Sequence, residues 1–263
     1  MATLEVSFFS HCLQRNVSFS AIVPIEDKLS TEKSTGFKTL YLLHGLGGNH
    51  KDWLANTMLA IWARGRNLAI IMPSAENKAY VDNVHTKERF GEFIGVELVE
   101  FTRALFSLSN KREDTFIGGL SMGGYGAMRN GLKYHETFGS IISLSGALAV
   151  EFLPFSNEDD PRPNRRRSFL EGVFGNLDAV AGSDMDSKAL AKALLDKGAK
   201  FPEIYIACGT EDELLPQNRL YHNFFNEHNI THKYIEDAGG HEWPFWDKYI
   251  KKSLDWLNHG IDK

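Results

Sequence analysis

The chain has 263 residues, a net charge of −5, and 43% hydrophobic and 12% aromatic side chains, the composition of one large globular domain. No long basic run offers a footprint for a phosphate backbone, and the cluster from Arg162 to Arg167 follows Glu158, Asp159 and Asp160, so nucleic acid is excluded as a partner. No stretch reaches the roughly 18 apolar residues of a membrane span, and the first residues lack a charged leader before an apolar block; the expectation is a cytoplasmic protein with no membrane partner.

Along the chain, LEVSFFS and RNVSFSAIVP alternate polar and apolar residues, the period expected of a half-exposed hairpin at a sheet edge. Short β-rich runs then end at Gly, Pro or Ser, mostly before helical stretches: TLYLLHG before WLANTMLAIWAR, LAIIMP before ERFGEFIGVELVEFTRALFSL, and TFIGGLS before MGGYGAMRNGL. SIISLSG follows, then EIYIACG before LLPQNRLYHNFFNEH, and HKYIEDAGG before HEWPFWDKYIKKSLDWL. This order predicts an α/β fold with a mostly parallel eight-stranded sheet covered on both faces by helices. Residues 148–201 interrupt it with a Pro/Asn/Asp/Arg-rich stretch and short helical segments. We read them as a small cap inside a single domain of residues 1–263, since so long a connection is usually functional. Cys12 and Cys208 are too few for a disulfide framework, and Cys208 reads as a reduced, buried thiol.

A parallel sheet carries its chemistry at the carboxyl ends of its strands. After TFIGGL comes Gly119-Leu120-Ser121-Met122-Gly123, a serine between two glycines at a strand-to-helix junction, where a sharp turn exposes the hydroxyl above the sheet. A serine needs a base, and a histidine, with an ordinary pKa near 6.5, suits neutral pH. Of ten histidines, His241 follows the last strand in a loop freed by Gly239 and Gly240. His222, His228 and His232 read as surface or helix-end residues, and although the last two are spaced i, i+4, the break between the helix and the next strand falls between them, against a metal pair. EIYIACGTEDELL offers the carboxylate that would orient the imidazole: Asp212, with Glu211 as the alternative, while Asp237 reads as a solvated loop acid.

Leu43-His44-Gly45-Leu46-Gly47-Gly48 exposes backbone N–H groups after a central strand. The N–H groups of Leu46 and Met122 are the natural donors to an oxyanion, and His44 reads as a brace of the loop. Neither a phosphate-binding lysine nor a dinucleotide Gly pattern accompanies these glycines, and no ligand cluster is visible, so no metal and no cofactor is expected. Trp53 and Trp243, and with less reason Phe90 and Phe245, are candidates to line a substrate pocket. Glu92 and Glu97 are not spaced to face each other as a glycosidase pair. Ser145 reads as a strand-end residue, and the 162–167 arginines as a solvated face with recognition of an acidic or sugar-bearing alcohol as the other reading.

Taken together, HGLGG, GGLSMGG, GTED and GGHEW at these spacings resemble the α/β-hydrolase esterases of the esterase D group, and within it the compact bacterial tributyrin esterases related to feruloyl and acetylxylan esterases. The resemblance spans nearly the whole chain. It implies hydrolysis of short-chain acyl esters, with Ser121 as nucleophile, Asp212 and His241 completing a triad, and Leu46 with Met122 forming the oxyanion hole. S-formylglutathione hydrolases share this fold, but their corresponding loop usually contains cysteine, whereas this one reads HGLGGNHKDW. A thioesterase, a feruloyl or acetylxylan esterase, and a non-catalytic binding module are the other readings. A small-molecule ester is the expected partner, and the oligomeric state, including a homo-oligomer, is left open. The short, charged cap lacks the long apolar helix of a lipase lid, which points to acyl groups of about two to four carbons.

Overall fold

The computed structural model describes residues 1–25 and 36–259. Eight strands form one sheet in the order β1-β2-β4-β3-β5-β6-β7-β8. They are β1 (Ala2–Ser10), β2 (Arg15–Val23), β3 (Lys38–Leu43), β4 (Leu68–Pro73), β5 (Thr115–Leu120), β6 (Ser140–Leu144), β7 (Glu203–Gly209) and β8 (Lys233–Asp237). The pairs from β4 through β8 are all parallel. β1 pairs antiparallel with β2, and β2 antiparallel with β4, so the hairpin extends the parallel sheet.

β1 keeps the alternating burial of an edge strand. β2 departs from the half-exposed reading: its last five residues are all buried, because it lies between β1 and β4 and is covered on both faces. The turn between the two strands is held by Glu97, whose carboxylate accepts from the Ser10 hydroxyl and from the His11 and Cys12 N–H groups. Glu97 is thus a structural anchor.

The stretch expected to form one helix after β3 is two short ones, α1 (Asp52–Asn56) and α2 (Leu59–Trp62). The break at Thr57 is stabilised because its hydroxyl accepts the Leu59 N–H, while Asp247 accepts the Met58 N–H. After β4 the chain makes α3 (Phe90–Glu92), a π-helical turn (Phe93–Glu97) and α4 (Leu98–Leu105). α5 (Met122–Lys133) leaves β5 and is buried along nearly its whole length. The 148–201 segment forms 3-10 turns at Val150–Phe155, Pro163–Arg165 and Leu177–Ala179, with α6 (Arg167–Phe174) and α7 (Ser187–Asp196). α8 (Leu215–Glu227) and α9 (Trp243–His259) follow β7 and β8.

Two apolar clusters cover the faces of the sheet, one including Phe19, Tyr41, Phe93 and Met128, the other Leu40, Ile70, Trp53 and Tyr249. Among the described residues, no helix is long and apolar enough to cross a membrane.

Candidate active site

Ser121 sits between β5 and α5 with φ +53° and ψ −118°, a backbone conformation that side-chain-bearing residues rarely adopt. The flanking glycines are required by space. A Cβ on Gly119 would strike the Gly123 carbonyl, and one on Gly123 would come within 2.5 and 2.6 Å of the Leu43 and His44 carbonyl oxygens. The turn is pinned from both sides: the Ser121 N–H donates to Leu144 O at 2.9 Å, and Ser121 O accepts from Ala147 N–H at 3.1 Å.

His241 reaches this turn from the loop after β8, where Gly239 takes φ +136°. One ring nitrogen, Nε2, lies 2.9 Å from Ser121 Oγ; the other, Nδ1, lies 2.9 Å from Asp212 Oδ2. The Asp212 side chain is fully buried, and its Oδ1 accepts the Leu214 N–H at 2.8 Å. Burial alone would raise its pKa, but the hydrogen bonds from His241 and the Leu214 N–H outweigh it and hold the carboxyl below its ordinary value. Nδ1 therefore carries the proton it donates to Asp212, which leaves Nε2 with a lone pair toward the serine hydroxyl. The three residues singled out at three different strand ends form one continuous hydrogen-bonded line.

Glu211 is directed elsewhere. Its carboxylate accepts from the Gly239 N–H and the Thr210 hydroxyl, fastening the histidine loop to the acid loop. Asp237 is no free loop acid, since it binds Tyr249 Oη and Lys248 Nζ at 2.6 Å each, and those bonds push its pKa down.

The glycine loop after β3 runs beside Ser121: a Cβ on Gly45 would stand 3.6 Å from Ser121 Cβ. Met122 opens α5, so its N–H has no acceptor one turn earlier in the helix. Gly45, Leu46, Ser121, Met122 and His241 all border the same cavity. His44 is fully buried. Its Nε2 accepts the Ala75 N–H at 3.0 Å, so Nδ1 holds the proton and donates to Gly45 O at 2.7 Å. Burial lowers its pKa and keeps it neutral. It braces the loop, as do the Tyr80 hydroxyl on His44 O and Asn77 Oδ1 on the Gly47 N–H.

The cavity measures about 1130 Å³ and extends from the serine under the 148–201 segment. Trp243 borders it, whereas Trp53 does not: only 1% exposed, Trp53 donates its indole N–H to Leu43 O and meets Trp243 edge-on with ring centres 5.6 Å apart. The bond to Leu43 O holds Trp53 in the core, beneath Trp243. Phe90 and Phe245 are core residues as well.

Residues that border the cavity without having been singled out include Phe152, Phe155, Phe169, Phe174 and Trp246. Trp246 stands edge-on to the His241 ring at 4.9 Å, and its indole N–H donates to Ser145 Oγ at 3.1 Å. Its position one helical turn beyond Trp243 was the available signal. Arg162 and Arg165, read as a solvated face, both reach Glu213 beside Asp212, at 3.4 and 2.6 Å. His232 pairs with His222 at 2.8 Å, while His228 turns back to Phe224 O.

The family model described as "Putative esterase" matches residues 10–257. The chain is 43% identical to an acetyl esterase of Caldicellulosiruptor saccharolyticus, over the full length of both. Among solved structures, the fluorophosphonate-binding serine hydrolase FphF of Staphylococcus aureus superposes with a TM-score of 0.88 at 26% identity, over 98% of this chain and 99% of that one. The S-formylglutathione hydrolase FrmB of Staphylococcus aureus does so with a TM-score of 0.86 at 26% identity and the same coverage. With its eight-stranded α/β-hydrolase sheet and a family match over nearly its whole length, this chain belongs to the Esterase family and is a carboxylic ester hydrolase.

Proposed function

We propose that this protein is a serine carboxylesterase acting on short-chain acyl esters through an acyl-enzyme intermediate. The observation that carries the reading is the line Asp212 Oδ2, His241 Nδ1, His241 Nε2, Ser121 Oγ, with 2.9 Å at each end of the imidazole. His241 takes the hydroxyl proton as Ser121 Oγ attacks the ester carbonyl, and gives it to the departing alkoxide. Asp212 holds the tautomer and stabilises the imidazolium. The Leu46 and Met122 N–H groups receive the oxyanion, a contribution of about 3 kcal/mol per donor in comparable sites. Water then repeats the sequence and releases the acid.

The short acyl preference is supported by the relative named as an acetyl esterase. It is also supported by one wall of the cavity that Ser121 borders, where Trp243 is backed by Trp53 and Trp246 at 5.6 and 5.2 Å between ring centres. Packed aromatic rings of this kind do not recede for a longer chain. The rest of the large cavity, under Phe152, Phe155 and Phe169, is assigned to the alcohol part of the ester.

A fluorophosphonate probe followed by peptide mapping tests the nucleophile: the adduct is expected on Ser121 and absent from Ser121→Ala. An adduct on another serine, or full activity of Ser121→Ala, overturns the mechanism. Faster turnover of S-formylglutathione than of short p-nitrophenyl esters would move the substrate class to thioesters and keep the triad.

A further inference from the structure

Asp52 opens α1 and borders the cavity beside the glycine loop. An acid in the first turn of a helix ordinarily stabilises that turn by accepting one of its free N–H groups. Here no such bond forms, and the N–H groups around it are engaged elsewhere: Lys51 on Asn49 Oδ1 at 2.9 Å, Asp52 on Asn49 O at 3.2 Å, Gly48 on Gly45 O at 3.1 Å and Gly47 on Asn77 Oδ1 at 2.7 Å. The carboxylate packs against the loop instead, since a Cβ on Gly48 would strike Asp52 Oδ2. Among the described residues no group donates to it or pairs with it, and the bases beside it in sequence, His50 and Lys51, both turn to Glu5.

Nothing across the cavity cancels this charge. The lining holds four carboxylates, on Asp52, Asp160, Glu213 and Glu242, against two guanidinium groups, on Arg162 and Arg165. Both arginines are taken: Arg162 binds Asp160 at 3.1 Å, and the two bind Glu213 at 3.4 and 2.6 Å. Arg166 and Arg167 lie outside the lining. Glu242 accepts the Gly240 N–H at 3.3 Å and pairs with no base among the described residues. The positive end of α5 lies at Ser121, the place of an ester carbonyl and not of its alcohol. The arginine run therefore presents no free cation to an acidic alcohol. Phe152, Phe155 and Phe169 also border the cavity, and aromatic rings favour a cation over an anion.

We propose that Asp52 is a specificity-determining residue: an uncompensated carboxylate on the cavity wall that favours esters whose alcohol carries an ammonium group and disfavours those whose alcohol or thiol is anionic. This rests on the serine esterase reading above and adds to it the charge of the leaving group. S-formylglutathione, whose thiol carries more carboxylates than ammonium groups, falls on the disfavoured side.

The test uses esters of matched shape. Acetylcholine and 3,3-dimethylbutyl acetate differ by one positive charge, and 3-acetoxypropionate and isopentyl acetate by one negative charge. At about 20 mM salt, kcat/KM should be about 5- to 20-fold higher for the cation than for its neutral partner, and lower by a similar factor for the anion. Asp52→Asn, which keeps the shape of the side chain, should bring both ratios closer to one by about threefold or more. Each ratio is internal to one preparation, so a variant that folds poorly loses both rates alike and leaves it unchanged. About 0.5 M salt should shrink the wild-type ratios too, because the charges act through space, and a purely structural Asp52 would not produce that dependence.

Equal kcat/KM for acetylcholine and its neutral partner, beside an inactive Ser121→Ala, overturns the proposal alone. Wild-type ratios in Asp52→Asn overturn it too, since the selection would then come from another group. Full activity of Ser121→Ala overturns the serine reading and this proposal with it.

Discussion

Replacing Asp212 by Asn keeps the volume of a fully buried side chain and removes its charge, so the loss can be derived from hydrogen-bond directions. Oδ1 must still accept the Leu214 N–H at 2.8 Å, since turning the amide round would set an NH₂ group against that donor. The NH₂ group therefore faces His241 Nδ1 at 2.9 Å, and the ring answers by accepting there and carrying its proton on Nε2. That proton now points at Ser121 Oγ, 2.9 Å away, and the base has become a donor. The equivalent change in chymotrypsin-like proteases, where the wrong tautomer results, costs about 10⁴-fold in kcat, or roughly 5 kcal/mol of barrier. A loss of about 10³- to 10⁴-fold is expected here, with Tm little changed. Glu211→Gln is the control: this carboxylate touches the Gly239 N–H and Thr210 and not the imidazole, so its loss should stay below about tenfold. Initial rates on p-nitrophenyl acetate, with thermal melts of each variant, make the comparison. An Asp212→Asn enzyme retaining a tenth of wild-type kcat, or a larger loss at Glu211, would refute the reasoning and pass the acid role to Glu211.

Since hydrogen bonds hold the Asp212 carboxyl below its ordinary 3.8, Asp212 stays charged until the pH falls past that value, and its contribution to stability is present above it and lost below. The fall of kcat/KM from neutral pH to pH 5 should therefore follow a single ionisation, and a slope of two there would show a second group. The Cys12 and Cys208 thiols are both buried and both pushed up to about 12, so a thiol reagent at pH 8 should label the denatured protein at two sites and the native protein at none; rapid native labelling would contradict the burial. Asp184→Ala should destabilise the fold by about 2 kcal/mol, because it takes from the fully buried Arg129 guanidinium its carboxylate at 2.6 Å and leaves Asp82 at 3.8 Å as the nearer remaining counter-charge beside the neutral acceptors Asn130 Oδ1 and Asp184 O, whereas Glu213→Ala, whose arginine partners reach solvent, should cost less than about 1 kcal/mol; denaturant melts that reverse this order would refute the assignment of weight. The specificity constant should peak at acyl groups of about two to four carbons and Trp243→Ala should shift the peak to longer chains, each buried methylene contributing about 0.8 kcal/mol; a steady rise from acetate to octanoate in the wild type would disprove the tryptophan wall.

The sheet and the site were legible because both obey local rules. A strand buried on both faces is a short apolar run ended by Gly or Ser, and the chemistry of a parallel sheet lies just past those ends, so Ser121, Asp212 and His241 could be found one strand at a time. Their convergence required no tertiary information beyond the order of elements. β2 was misjudged because its alternation is that of a half-exposed strand while its burial is decided by β4, a neighbour about fifty residues away. Trp53 was misjudged for a similar reason: adjacency to the glycine loop in sequence says nothing about which side of the loop an indole occupies, and Leu43 O draws this one into the core.

The cap resisted the same reading for a deeper reason. Its helices are short and its 3-10 turns carry no sustained period, so hydrophobic pattern has little to work with. What fixes it is long-range and polar: Arg129 and Lys133 of α5 on Asp184, the Tyr125 hydroxyl on Met185 O, Asn83 on the carbonyls of Gly172 and Val173, and Lys188 on Glu151. Tyr125, Arg129 and Lys133 fall at four-residue intervals after Ser121, so one face of the helix that starts beside Ser121 is also the face that seats the 148–201 segment. The Ser121 turn and the roof of the cavity thus share one rigid element. A segment mounted this way can change its loops, and with them the lining of the cavity, while the turn at Ser121 stays held by Leu144 and Ala147. The proposed triad and the rest of the cavity lining are consequently positioned by different means: the first lies at strand ends that pattern reveals, and much of the second lies on a segment whose position only the assembled helix defines.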